Sequence, residues 1–215
     1  MSAFSAHAVI FDLDGTLADS LRDLGEAMNR ALAGFGLPTH PIDAYRQFVG
    51  EGVDVMVRRA APNATVGYQQ IADSYRAHYG TLDHQWTRPY PGIADLLDEL
   101  TKRGVKLAVL SNKRDDFTRD LVTKQFGRWR FADVRGEREG VPRKPDPTAA
   151  FELALALNVL PANIVFVGDT GIDMMTGRNA GMTPVGCLWG FRGREELLAA
   201  GAKRLIAHPL ELLTG

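Results

Sequence analysis

Residues 9–20 read VIFDLDGTLADS, an apolar run that ends in Asp12, Leu13 and Asp14. Two carboxylates two positions apart repel each other, and neither has a cation next to it in the chain. Three further groups of polar residues sit beside apolar runs or a helix start. Ser111-Asn112-Lys113 follows KLAVL, Arg143-Lys144-Pro145-Asp146-Pro147 precedes an amphipathic stretch, and Asp169 and Asp173 follow NIVFVG. If these four places meet, three or four carboxylates converge and need a divalent cation. An all-oxygen donor set from Asp12, Asp14, Asp169 and Asp173 suits magnesium. Ser111, Asn112 and Lys144 offer hydroxyl, amide and ammonium groups that can hold a dianion such as phosphate. Thr16 can join them or hold the turn. One aspartate can attack phosphorus to form an aspartyl phosphate, and the other can protonate the leaving oxygen and then activate water.

The elements that must position these groups follow from periodicity. Short non-alternating apolar runs recur at 8–11, 106–110, 163–168, 183–188 and, weakly, 204–207. Between the later ones lie helical patterns: Ile93, Leu96, Leu97 and Leu100 share a face, and Asp146-Pro147 marks a helix start. Strand and helix in alternation predict an α/β fold with a Rossmann-like parallel sheet covered on both faces. Such sheets bind ligands at the carboxyl ends of their strands, where all four polar groups fall. Residues 18–88 break the rhythm and read as helices only. They predict an inserted helical cap (18–88) between a first core piece (1–17) and the remainder of the core (89–215). TRPYPG at 87–92 is the expected hinge.

Composition excludes several classes. The chain has 215 residues, 45% of them hydrophobic, and a formal net charge of −1, so no basic field advertises nucleic acid or an anionic membrane. One cysteine rules out an internal disulfide framework. The N-terminus lacks a signal-peptide pattern, and no apolar stretch is long enough to span a bilayer. The expectation is a cytoplasmic protein, monomer or homodimer, with a small phosphorylated metabolite as its partner. Cys187 and the five histidines read as packing or surface residues, and RGEREG at 135–140 reads as a solvated loop.

DLDGT, the Ser111-Asn112 strand end, RKPDP and GDTGID, in this order, resemble the four motifs of the haloacid dehalogenase superfamily of aspartate-nucleophile phosphatases. The resemblance implies that Asp12 is the nucleophile and Asp14 the general acid/base. It implies that Ser111 and Lys144 bind the phosphoryl group and that Asp169 ligates magnesium. It also implies a helical insert after the first motif. FVGEGVDVMVRRA in the insert, with DGTLADS and the segment from 181, is similar to the phosphoglycolate phosphatase branch. That likeness falls on Arg59, which borders the apolar face of its helix and becomes the candidate for reading an anionic group remote from the phosphate. The rival readings are a phosphomutase of the β-phosphoglucomutase type, and a phosphatase acting on a nucleotide, a phosphosugar or pyrophosphate.

Overall fold

The computed structural model describes residues 5–214, so the first four residues of the N-terminal stretch lie outside it. Six strands form one parallel sheet: β1 (Ala8–Phe11), β4 (Lys106–Arg114), β5 (Phe131–Glu137), β6 (Ile164–Gly168), β7 (Thr183–Cys187) and β8 (Arg204–Ile206), in the spatial order β5-β4-β1-β6-β7-β8. The chain moves outward from β1 through β4 to β5, then returns to β6 on the other side of β1. This is the Rossmann order, whose reversal opens a crevice at the carboxyl ends of β1 and β6.

Alternation along β1 shows why the run is apolar throughout. Val9 and Phe11 join a core on one face with Leu96, Leu97 and Leu100 of α5 (Ile93–Lys102) and Leu121 and Phe126 of α6 (Asp115–Phe126). Ala8 and Ile10 join a second core on the other face with Leu153 and Leu157 of α7 (Thr148–Leu157). Successive side chains point to opposite faces, so a strand covered on both sides has no polar position left.

Between β1 and the rest of the sheet lie α1 (Leu21–Gly34), α2 (Tyr45–Phe48), α3 (Val53–Ala60) and α4 (Tyr68–Leu82). They bury a third apolar cluster of their own, with Met28, Leu32, Tyr45, Val57 and Ile71 at its centre. Phe191, from the loop after β7, also packs into it. A short antiparallel pair, β2 (Ala18–Asp19) with β3 (Arg88–Pro89), ties the two ends of this helical stretch together.

Two details differ from the sequence expectation. The first half of the supposed loop at 135–140 lies in β5, whose register runs against β4 from Phe131 to Glu137. As an edge strand β5 is paired on one side only and is partly exposed. It therefore carries charge, such as Arg135 facing Asp133 at 2.7 Å, in place of an apolar run. The helix after Asp146 starts one residue later than expected, at Thr148, whose N–H donates to Asp146 Oδ1 at 2.9 Å. Among the described residues no helix is long and apolar enough to cross a membrane.

Candidate active site

The crevice between β1 and β6 gathers Asp12, Asp169 and Asp173, each offering a carboxylate oxygen within 4.8 Å of the others. Each arrives by a different local device. Asp12 directly follows β1, and its N–H donates to Val167 O in β6 at 2.9 Å. Asp169 follows β6 and lies just before Thr170, the N-cap of α8 (Gly171–Asn179). Asp173 completes a capping box with Thr170, accepting from its N–H at 3.0 Å and its hydroxyl at 2.7 Å. Glycines make room. A side chain at Gly168 would overlap Asp173, and one at Gly15, where φ is +88°, would overlap Asp169.

Electrostatics strain this cluster. Burial, and then the Asp173 charge, push the Asp12 carboxyl up to about 7, against the pull of Lys144. Burial, followed by Asp173 and Asp12, raises Asp169 well above the ordinary carboxylate range. Lys144 is the cation the chain supplies. Its Nζ lies 2.8 Å from Asp12 Oδ1 and donates to Asp173 Oδ1 at 2.7 Å and Leu110 O at 3.0 Å, which uses all three donors. Burial opposes its charge, yet the Asp12 and Asp173 carboxylates hold its pKa above the ordinary lysine value. The ammonium faces two of the three buried carboxylates, Asp12 and Asp173, so the fully ionised cluster carries an anionic excess. Three converging carboxylates with one internal cation fit a hard divalent ion, which removes that excess.

The other expected residues are distributed unevenly. Asp14 is not part of the carboxylate group: its oxygens accept Lys113 Nζ, both at 2.7 Å, and Ser20 Oγ at 2.6 Å. Its side chain thus turns to Lys113 and Ser20, and not to the other three carboxylates that the sequence grouped it with. Ser111 and Asn112 line the same pocket as Asp12 and Asp14. Asn112 works on the backbone of Lys144, accepting its N–H at 2.9 Å and donating to its carbonyl at 3.2 Å. It also donates to Gly50 O at 3.1 Å, bridging the sheet edge to the helical stretch. Thr16, expected on the phosphoryl group, is fully buried, and its hydroxyl donates to Asp169 Oδ1 at 3.0 Å. It holds a carboxylate in place and does not face the pocket.

Arg59 is not brought to this pocket. It pairs with Glu51 and donates to Gln47 O at 3.3 Å. With Thr170, Arg192 and Glu196 it lines a separate polar cavity that shares only Val49 and Gly50 with the first. Sequence reasoning left Lys113 without a firm role. Its place directly after Ser111-Asn112, at the end of a strand neighbouring β1, was the available signal. The structure sets it against Asp14 and over the Tyr79 ring, 4.7 Å from the centroid.

Comparison with known proteins agrees with this geometry. The family model of haloacid dehalogenase-like hydrolases matches residues 9–187. A phosphoglycolate phosphatase of Pseudomonas putida is 33% identical over 218 residues, spanning 96% of this chain and 78% of its own. The crystal structure of a predicted phosphoglycolate phosphatase from Haemophilus somnus superposes with a TM-score of 0.89 at 26% identity, covering 97% of each chain. A structure from Lactobacillus delbrueckii subsp. bulgaricus, given the same provisional assignment, has a TM-score of 0.87 at 31% identity and covers 100% of both chains.

Proposed function

The chain belongs to the haloacid dehalogenase-like hydrolases, and from that premise we propose that it hydrolyses a phosphomonoester through an aspartyl phosphate on Asp12 with magnesium as cofactor. The observation that carries this reading is the buried trio of Asp12, Asp169 and Asp173, with Lys144 bridging Asp12 and Asp173, beside a pocket that Asp12 and Asp14 both line. The helical stretch at 18–88 is proposed as a cap over that pocket, with the sheet as core.

In the first step the Asp12 carboxylate attacks phosphorus, the bond from phosphorus to the leaving oxygen breaks, and Asp14 supplies the proton that the departing alkoxide needs. In the second step Asp14 takes a proton from water, the water oxygen attacks phosphorus, and the bond to Asp12 breaks to regenerate the carboxylate. Lys144 keeps Asp12 oriented and opposes the rise in its pKa that burial causes, and Asn112 fixes the backbone from which Lys144 reaches in. Ser111 sits on the pocket wall, where its hydroxyl can donate to a phosphoryl oxygen. Asp12, Asp169 and Asp173 would hold magnesium, which when bound would neutralise charge on the transferring phosphoryl group. The helices above Asp14 exclude water and shape the leaving-group side.

The relatives' names make phosphoglycolate the first ester to assay. The test measures inorganic phosphate released from phosphoglycolate, phosphosugars, nucleotides, pyrophosphate and an aryl phosphate, with magnesium and with excess chelator. Release that requires magnesium supports the reading. Equal turnover in chelator contradicts the cofactor, and interconversion of phosphosugars without free phosphate points to a mutase.

A further inference from the structure

The pocket beyond Asp14 is walled largely by hydrocarbon. Leu24, Val49, Val53, Met56, Tyr75 and Phe117 line it, drawn from α1, the segment around α3, α4 and α6. Leu24, Val49, Met56 and Tyr75 are buried, so these side chains are held by packing. Among the described residues each cation on the wall already faces a carboxylate. Lys113 lies 2.7 Å from Asp14, Arg76 lies 2.7 Å from Asp73, and the Arg114 Nε donates to Asp116 at 2.6 Å. Glu137, the remaining acid on the wall besides Asp12 and Asp14, accepts from Arg143 Nε at 2.7 Å.

These pairings decide what the leaving group can be. A second anionic group, such as the carboxylate of glycolate, would give up its hydration against a mostly hydrocarbon wall, and the one buried cation there, Lys113, already serves Asp14, while Arg76 and Arg114 pair outward with the exposed Asp73 and Asp116. An apolar body gains simply by leaving water. Building on the phosphatase reading above, we propose that the leaving alcohol of the preferred substrate is an apolar one of several carbons, seated against Val53, Met56 and Phe117. The two-carbon acid of phosphoglycolate would be a poor occupant of the same space.

A series of primary n-alkyl phosphates, methyl to pentyl, tests this against phosphoglycolate, with phosphate release measured in magnesium. The alcohols in this series have nearly equal acidity, so the trend in kcat/KM reports binding of the chain and not leaving-group chemistry. Each added methylene should raise kcat/KM about fourfold until the wall is filled. The longer members should exceed phosphoglycolate about tenfold or more. Val53→Ser and Phe117→Ala should each flatten the dependence on chain length, with circular dichroism reporting whether each variant is folded. Since the slope of the unmodified protein is itself decisive, a variant that fails to fold does not remove the test. A flat series with phosphoglycolate ahead overturns the inference and leaves the phosphatase reading intact. No release from any ester, phosphoglycolate and an aryl phosphate included, overturns that reading and the inference with it.

Discussion

Replacing Lys144 by methionine should expose how the buried carboxylates are held. The Lys144 side chain is 2% exposed, and its ammonium lies 2.8 Å from Asp12 and 2.7 Å from Asp173. Methionine keeps much of the volume and removes the charge, so the change is electrostatic more than steric. Removing one partner of a buried ion pair costs about 3–5 kcal/mol, because the charge left behind is neither hydrated nor compensated. For a chain of this size each kcal/mol corresponds to about 2–4 °C in Tm, which places the loss at about 6–20 °C. The assay is thermal melting followed by circular dichroism, in chelator, at pH 8 and pH 5. Most of the deficit should appear at pH 8. Burial and Asp173 already raise Asp12 to about 7. Without Lys144 the value rises further, so at pH 5 the carboxyl takes up a proton and no longer needs a cation. Magnesium at pH 8 should restore part of the lost stability. A variant that melts within about 2 °C of the parent in chelator at pH 8 would refute the claim that Lys144 neutralises a destabilising cluster.

Other outcomes follow from the same geometry. In the parent protein, Asp12 and Asp169 bind protons more tightly folded than unfolded, mainly through burial. Stability from them should therefore fall as pH rises from about 4 towards 7 in chelator, and magnesium should flatten that fall; a metal-free Tm that these two groups cause to climb through the window, judged against Asp12→Asn and Asp169→Asn, contradicts the assignment. Asp14→Asn should lower kcat by about 10²–10⁴, the usual loss for a general acid/base, while quenched samples still show phosphate on the protein; unchanged steady-state turnover would remove Asp14 from the mechanism. Arg59→Ala should change kcat/KM for phosphoglycolate by no more than about twofold, since its half-exposed pair with Glu51 lies in the other cavity; a loss selective for phosphoglycolate over an aryl phosphate would return it to the site.

Much of the sheet was legible because covered parallel strands have no polar positions. Val9 and Phe11 feed one core while Ala8 and Ile10 feed the other, and the resulting apolar run is unmistakable in sequence. The edge strand β5 escaped for the opposite reason: one unpaired side and partial exposure allow Arg135 and Glu137, which read as a loop. The convergence of Asp12, Asp169 and Asp173 followed from a general rule about strand ends, with no contact needed. What that rule cannot supply is where a side chain points within the edge. Thr16 and Asn112 carry groups suited to phosphate, yet one is turned onto Asp169 and the other onto the Lys144 backbone. Arg59 shows the same limit on a helix. It borders the apolar face of α3 as its spacing requires, but Glu51 in the loop before the helix and the Gln47 and Phe48 carbonyls of α2 hold its guanidinium at a cavity that Asp14 does not line. The side-chain partners of Asp14 were invisible for a related reason, since Lys113 is distant in sequence and reaches it only because β4 lies beside β1.

The central claim is that Asp12 carries the phosphoryl group between two chemical steps. The most direct measurement is acid quench of the enzyme during turnover of a good ester with magnesium, followed by peptide mass spectrometry. The expected result is one phosphate on the peptide containing Asp12, absent from Asp12→Asn and still present in Asp14→Asn, where both its formation and its hydrolysis are slowed. Phosphate on a different residue, or full turnover by Asp12→Asn with no modified peptide, would contradict the account.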